Sequence, residues 1–235
     1  MKLFKTRDIK VISILMLVAC IGASVFITSC KKEQKGEIDK NAVAQIGFYE
    51  TYLYKDIAQD ISKLCEATGD STLLKNKINV YDERPVVCNA TKSDTTAINA
   101  VIEKHGKDIL PANLKLMWTQ EPENGYFQLI ALKTDASGKP AMTGESIIKA
   151  DVTKNDLNGH ETYTAIAITL DKEGTKKFSR FSADNIGRPI AIIYKDKVLS
   201  YPTVQCQIDG GTVELTGNFD EEEANDFVDM LYGKK

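Results

Sequence analysis

The residues best suited to chemistry are few and lie scattered along the sequence. The two histidines, His105 and His160, are far apart, and their spacing does not match a metal site. The sequence has no Cys-x-x-Cys pair, no Gly-x-Ser-x-Gly nucleophile motif and no glycine-rich phosphate loop. The four carboxylates of residues 220–223 are typical of a helix start, where the helix dipole favours negative charge. The sequence therefore predicts a protein that is not an enzyme and that holds no cofactor or metal.

Cys30 stands at the end of an apolar segment near the N-terminus. Residues 1–10 are basic, residues 11–27 are apolar, and residues 27–30 read Ile-Thr-Ser-Cys. A basic region, an apolar region and small residues before the cut make up a secretory signal, and the last four residues fit a bacterial lipobox. The thiol of such a cysteine takes diacylglycerol through a thioether. The sequence thus predicts a lipoprotein signal peptide at residues 1–29 and lipid on Cys30, which would hold the protein at a membrane.

An uncleaved membrane anchor is the alternative for the same segment. Residues 11–27 lie at the short edge of what crosses about 30 Å of hydrocarbon, but a plain anchor has no reason to end in two small residues and a cysteine. Both interpretations place the body in the cell envelope, facing the periplasm or the cell surface. Lys31 occupies the position where many lipoproteins of the inner membrane carry aspartate, which favours the outer membrane.

The composition of the chain after residue 29, called the body here, limits the partners that it can bind. The formal net charge is −3, and the first 29 residues carry more basic than acidic groups, so the remainder is more acidic still. Nucleic acid is excluded as the main partner, because phosphate binding needs a basic face. Apolar residues make up 43% of the chain, enough for a packed soluble core. Residues 30–41 are polar and charged, and they predict the lipidated cysteine followed by a flexible tether.

Three cysteines remain in the body: Cys65, Cys88 and Cys206. An odd number allows at most one disulfide within the chain. Cys65 and Cys88 are the pair to test first. The alternative is that all three are small buried apolar residues.

Periodicity predicts a mixture of helices and strands. Helical spacing indicates helices at residues 54–67, 95–104, 171–187 and 220–233, the last with a capping box at Asp220 and Glu223. Strand-like runs occupy residues 43–48, 114–118, 126–132, 165–168, 189–194, 197–203 and 212–216. Because hairpins are present and strict βαβ alternation is absent, we expect an α+β fold with a mixed, largely antiparallel sheet and helices packed on it.

Five blocks of sequence appear in the order of a known family. They are residues 143–146, 171–178, 185–193, 197–204 and 217–224, and they resemble the patterns LTGEDL, NAEGAKKF, NVGKRLAIV, KVISAPTV and GGFTxEEA. These patterns belong to the head of the first periplasmic domain of SecD, the accessory subunit of the bacterial protein-export channel. Residues 48–52 and 110–118 resemble segments of SecDF proteins from the Bacteroidetes. One departure is Tyr201, where the family has a small residue before proline.

The resemblance implies a division of the chain and a role. Residues 142–235 would be the head-like subdomain, and residues 42–141 an N-terminal α+β portion resembling the SecDF periplasmic region. The chain has one apolar segment where SecD has six membrane spans, so the expectation is a detached head that does not couple proton flow.

The expected role is that of a non-catalytic module that binds unfolded secreted chains or components of the Sec translocon. The expected contact surface is the 195–202 hairpin with the preceding tyrosine, namely Tyr194, Lys195, Asp196, Lys197, Tyr201 and Pro202. The alternative is an outer-membrane or surface lipoprotein in which the head fold binds another ligand.

Overall fold

The computed structural model describes residues 36–68, 83–157, 161–216 and 220–234. The predicted signal peptide, Cys30 and His160 lie outside these ranges. The described helices are α1 (Lys40–Val43), α2 (Tyr54–Ala67), α3 (Lys92–Ile109), α4 (Lys172–Asp184) and α5 (Glu221–Leu231). The strands are β1 (Ile46–Thr51), β2 (Val86–Ala90), β3 (Leu114–Trp118), β4 (Phe127–Lys133), β5 (Met142–Thr143), β6 (Ile147–Leu157), β7 (Glu161–Leu170), β8 (Ile190–Tyr194), β9 (Lys197–Ser200) and β10 (Thr212–Thr216).

The larger sheet curls so that its two sides meet. Its strands run in the order β2-β4-β1-β8-β9, with β3 also paired to β4 and β5 to β1. The residue after β3, Thr119, forms a parallel bridge with Val198 of β9, and the Gln120 amide donates to the Val198 carbonyl at 2.8 Å. This bridge joins the β3 side of the sheet to the β9 side.

Successive side chains of the strands point alternately into the curled sheet and out of it, and both sets are apolar. The interior holds Tyr49, Val86, Met117, Ile130, Leu132, Ala191, Ile193 and Val198, drawn from six strands. The side chains between them in sequence point outward, since successive residues of a strand face opposite sides. On β1 and β8 these outward residues join the main core, and on β4 they pack beneath α2 and α3.

A second sheet, in the order β10-β7-β6, covers the main core from the other side. Ile166 and Ile168 of β7 lie in that core, together with Ala224, Val228 and Leu231 on one face of α5. The five-residue pairing of β10 with β7 and the long β6–β7 hairpin are both antiparallel. The paired strands of both sheets are antiparallel throughout the described residues, with parallel pairing only at isolated bridges. The expected α+β fold class is confirmed.

Local signals explain where the helices of the head begin. The Asp171 carboxylate accepts from the Gly174 amide at 2.7 Å, and a Cβ on Gly174 would lie 2.4 Å from that of Ser146, so only glycine fits there. The Asp220 carboxylate accepts from the Glu223 amide at 2.9 Å, and the Glu223 carboxylate accepts from the Asp220 amide at 3.0 Å. This reciprocal pair is the predicted capping box.

Several boundaries differ from those predicted from the sequence: β1 begins at Ile46 rather than at residue 43, β9 ends at Ser200, and strands β2 and β6 were not predicted. The Ile38 side chain is only 6% exposed, and the Asp39 amide donates to the Leu231 carbonyl at 2.9 Å. Residues 38–41 therefore belong to the packed fold rather than to the predicted tether. Strand β1 lies between β4 and β8, so the predicted division at residues 141 and 142 does not correspond to a break in the sheet. Helix α3 is longer at both ends than the predicted 95–104 segment.

No helix in the described ranges is both long enough and apolar enough to cross a membrane.

Candidate functional site

The predicted β8–β9 hairpin is present, and its turn is the exposed part of the predicted contact surface. Lys195 and Asp196 form the turn with positive φ angles of 47° and 58°. Both values lie in the left-handed region that residues other than Gly, Asn and Asp rarely adopt. Lys195, Asp196 and Lys197 are exposed. These three residues can meet a partner without any change in the fold.

Tyr194 is not available as an exposed contact, contrary to the expectation. Its side chain is 5% exposed because it is on the outward face of β8, in the main core. Its ring meets the ring of Phe227 edge to face at 5.5 Å, and its hydroxyl lies 3.0 Å from the Met230 sulfur. The Lys195 ammonium lies 5.1 Å from the centre of the same ring. Tyr194 therefore docks α5 onto the sheet.

Tyr201 and Pro202 are also turned away from solvent. Pro202 is buried, and the half-buried Tyr201 packs against the interior of the curled sheet. The Tyr201 hydroxyl donates to the side-chain carbonyl of Gln128 at 2.5 Å. Burial raises the pKa of Tyr201, and the Glu123 carboxylate acts in the same direction, against Arg84 and the Gln128 hydrogen bond. Tyr201 closes one end of the interior, so the predicted contact surface shrinks to the turn.

The opposite end of the curled sheet is open, and it lies beside the same turn. A depression of about 240 Å³ is lined there by Gln45, Gly47, Tyr49, Pro140, Lys195 and Asp196, among others. Gly47 forms part of its floor. A Cβ at this position would lie 2.8 Å from the Tyr49 ring and 3.4 Å from Pro140 Cβ. The missing side chain therefore leaves the ring of Tyr49 close against the backbone of β1.

Tyr49 is the buried polar group of this open end. The side chain is 6% exposed and belongs to the interior of the curled sheet. Burial raises the pKa of Tyr49, and the negative charge of Asp196 raises it further. The phenol is therefore neutral at physiological pH and can donate a hydrogen bond.

Charges of both signs stand at the rim. Lys195 and Asp196 line the depression, and the Lys115 ammonium of β3 lies 3.7 Å from the Asp196 carboxylate. All three side chains are exposed or half-exposed, so their mutual attraction is screened by water. The rim presents no strong net charge.

Other candidates from the sequence lie elsewhere. Cys65 of α2 and Cys88 of β2 are both buried in the core that these elements share with α3, and neither is in a disulfide. The Cys65–Cys88 disulfide is therefore not formed, and for these two residues the alternative of small buried apolar side chains fits. His105 is half-buried on α3. Within the described ranges, no three His, Cys, Asp or Glu residues are grouped to hold a metal ion.

Sequence reasoning missed Gly47, Tyr49, Gln45 and Pro140. A glycine inside a strand is the signal that could have found them, because it marks a close approach or a missing side chain. The approach of Pro140 to β1 depends on the loop before β5, and no periodicity predicts it.

Comparisons with known proteins agree with the resemblance of the head region. The family model described as the P1 head subdomain of SecDF matches residues 119–233. Residues 119–233 of the chain are therefore similar to the P1 head subdomain of SecDF.

SecD proteins of several bacteria are similar to the chain over a longer stretch than the family model. The chain is 29% identical to the protein translocase subunit SecD of Rhodothermus marinus over 150 residues, which is 59% of this chain and 22% of that protein. It is 26% identical to SecD of Borreliella burgdorferi over 207 residues, 82% of this chain and 35% of the relative. The chain thus spans about a fifth to a third of the length of these relatives.

A solved structure described as a membrane component SecDF that enhances protein export is also similar. It shares 14% sequence identity with the chain, and the match covers 80% of this chain and 92% of the solved one with a TM-score of 0.35.

Proposed function

We propose that this protein is a non-catalytic module of bacterial protein export, held at an envelope membrane by lipid on Cys30. It binds unfolded or partly folded secreted chains, or components of the Sec translocon. The observation that carries the proposal is the match of residues 119–233 to the SecDF P1 head subdomain. The likeness to SecD over most of the chain supports it.

The structure supplies a surface suited to such binding. The exposed turn of Lys195, Asp196 and Lys197 stands beside the open end of the curled sheet. A rigid two-sheet scaffold holds this end in place, and its mixed charges allow contact with many different sequences. Binding without strong sequence preference is what an export module requires.

Site-specific crosslinking in cells tests the binding proposal. A photoreactive amino acid placed at Lys197, which is exposed beside the turn, should give adducts that mass spectrometry identifies as secreted proteins or Sec components. The matched control is the same amino acid at Lys107, an exposed position on α3, which should not capture them. Recovery of neither class of protein at Lys197 would contradict the proposal.

The anchor has a separate test. Cys30→Ala should leave the signal peptide uncleaved and remove the lipid, and the intact mass of the purified protein reports both changes. Cys20→Ala, a cysteine within the same apolar segment, is the matched control and should be processed normally. Full membrane retention of an unlipidated wild-type protein would favour the plain membrane anchor instead.

Location separates the export proposal from a repurposed fold at the cell surface. Lys31 after the cysteine favours the outer membrane, and a periplasm-facing protein should resist protease added to intact cells. Digestion on intact cells would place the domain outside the periplasm, where it does not meet chains leaving the export channel.

A further inference from the structure

The three-stranded sheet has two edges, and one of them is covered. The order β10-β7-β6 leaves β6 and β10 each with one side that faces no further strand of this sheet. At the β6 edge the Ala150 amide donates to the Tyr232 hydroxyl at 3.3 Å, and the Lys154 ammonium lies 2.7 Å from the Glu221 carboxylate of α5. Tyr232 therefore caps the β6 edge, and α5 packs beside it.

The β10 edge has no such cap in the described residues. The Leu170 amide donates to the Gly211 carbonyl at 2.8 Å, so Gly211 and every second residue after it turn their backbone groups toward β7. Because these directions alternate in an antiparallel pair, Thr212, Glu214 and Thr216 turn their amides and carbonyls to the open side. Within the described ranges, no backbone hydrogen bond outside the paired strands involves these three residues.

Strand β10 also lacks the features that keep edge strands from pairing. It contains no lysine, no proline and no β-bulge, although such features usually protect an exposed edge. Its Val213 and Leu215 side chains lie in the main core and hold the strand in place. The Thr216 Oγ1 atom is buried and has no hydrogen-bond partner in the described residues. Buried polar groups normally have one, so a chain packed against this end of β10 would supply a missing partner.

The chemistry of the edge selects an extended polypeptide. Alternating donors and acceptors at strand spacing are matched by the backbone of another extended chain. A second copy of this protein is disfavoured, because antiparallel pairing of two whole β10 strands places Glu214 opposite Glu214, and like charges in that position destabilise a sheet.

The charge of Glu214 is open to a basic residue of another chain. Its carboxylate accepts from the Asn155 side-chain amide at 3.1 Å. None of the ion pairs between described residues includes it. Because Val213 and Leu215 face the core, Glu214 lies on the outer face of the sheet. A lysine or arginine opposite Glu214 would make a favourable cross-strand pair there.

We propose that the β10 edge binds a segment of an extended, unfolded polypeptide as an added antiparallel strand. The bound segment alternates apolar residues, beside Val213 and Leu215, with polar residues on the outer face, and it carries lysine or arginine opposite Glu214. The proposal rests on the proposed function and deepens it, because it names the sequence pattern that an unfolded chain needs to be held at this edge.

Fluorescence anisotropy with the full chain in lipid nanodiscs tests the added strand. The probe is a short fluorescein-labelled peptide in which valines alternate with threonine, lysine and threonine, the lysine at the centre. It should bind about threefold more tightly than the same peptide with central glutamate. N-methylation of the threonine and lysine amides, which face β10 in the added strand, should weaken binding about tenfold or more through the lost hydrogen bonds. N-methylation of the valine amides that follow them is the matched control and should leave the affinity nearly unchanged.

Two variants and one matched control locate the binding on the protein. Glu214→Pro removes the central amide of the open edge, which the fold does not use, and should weaken peptide binding about tenfold. Glu214→Gln keeps this amide and removes the charge, so the peptide should still bind but without the preference for lysine over glutamate. Lys154→Pro places proline on the capped β6 edge and should leave the affinity unchanged. Thermal unfolding checks that each variant is folded, and if Glu214→Pro unfolds, the methylated peptides decide.

The outcomes separate the edge from the proposed function. The control probe is a reduced, alkylated secreted protein that stays unfolded. If this protein binds but neither methylation of the peptide nor Glu214→Pro changes any affinity, the edge proposal is wrong and the proposed function stands. If neither the unfolded protein nor any peptide binds, both fail. Peptide binding that is lost with Glu214→Pro and kept with Lys154→Pro supports both. A wild-type dimer that Glu214→Pro separates in sedimentation velocity would show that the edge pairs with a second copy, which overturns the proposal.

Discussion

The two ends of the curled sheet carry the same residue type in different states. At one end Tyr201 packs against the interior and donates its hydroxyl to Gln128 at 2.5 Å. At the other end Tyr49 is more deeply buried and lines an open depression beside an exposed turn. A closed, satisfied end stabilises the fold. An open end leaves the groups that line it able to contact a partner.

The comparison gives Tyr201 a structural role where the sequence suggested a contact role. The SecD family has a small residue at this position. The aromatic side chain of Tyr201 was therefore interpreted as an exposed binding group. The ring instead fills the end of the sheet interior. The proposed contact surface therefore lies at the opposite end, beside the turn of Lys195 and Asp196.

The largest expected effect on stability comes from removing the ring of Tyr201, which closes one end of the sheet interior. Tyr201→Ala should lower the free energy of unfolding by about 2 kcal/mol, since the loss of a half-buried aromatic leaves both a cavity and an unpaired Gln128. Urea denaturation measures the change. The control is Tyr126→Ala, whose ring is 49% exposed on the loop before β4, and it should alter stability by less than about 0.5 kcal/mol. Equal losses for the two variants would show that Tyr201 does not close the interior.

Removing only the hydroxyls should distinguish the two ends directly. Tyr201→Phe loses the hydrogen bond to Gln128 and should cost about 1 kcal/mol. Tyr49→Phe removes a hydroxyl at the open depression, where water can serve as its partner, so the free energy of unfolding should change little. Urea denaturation of both variants under the same conditions gives the comparison. A loss at Tyr49→Phe as large as that at Tyr201→Phe would show that the Tyr49 hydroxyl is satisfied within the fold.

Sequence reasoning predicted local elements better than their arrangement. The helix at 54–67, the hairpin around Lys195 and the cap at Asp220 depend on neighbours in sequence, and the structure has all three. The curl of the sheet depends on the contact of Thr119 with Val198, and the place of β1 depends on its pairing with β4 and β8. Such long-range pairings produce no periodic pattern in the sequence, so they could not be predicted from it.

The candidate site could be predicted only in part, because it also combines a local turn with long-range contacts. The turn follows from a dipeptide between two strand-like runs, so Lys195 and Asp196 could be identified. Whether a neighbouring tyrosine faces the core or the solvent depends on which face of a strand is covered, and on β8 both faces are buried. The alternation of polar and apolar residues therefore could not predict that Tyr194 is in the core. Tyr49 lies on β1, where both faces are likewise apolar.

Alkaline pH should weaken the fold through both tyrosines. Burial raises the pKa of Tyr49, assisted by Asp196, and burial also raises the pKa of Tyr201. The unfolded chain loses these protons near pH 10 while the folded chain keeps them, so their contribution is complete below about pH 10 and declines as the pH rises further. The free energy of unfolding, measured by urea at increasing pH, should therefore fall above about pH 10. Tyr201→Phe and Tyr49→Phe should each make this fall shallower, and an unchanged slope in both variants would contradict the effect of burial.

The smallest expected effect is at the turn beside the open end. Asp196 has a φ of 58°, and Asp196→Gly should raise the free energy of unfolding by about 0.5 kcal/mol because glycine adopts this region without steric cost. The exposed contact with Lys115 contributes little that could offset this gain. Asp196→Asn is the matched control, since it removes the charge but keeps a residue that tolerates the left-handed region, and it should leave stability nearly unchanged. If both variants destabilise the protein equally, the Asp196 carboxylate itself holds the open end together, and the rim is then a structural feature like the end that Tyr201 closes.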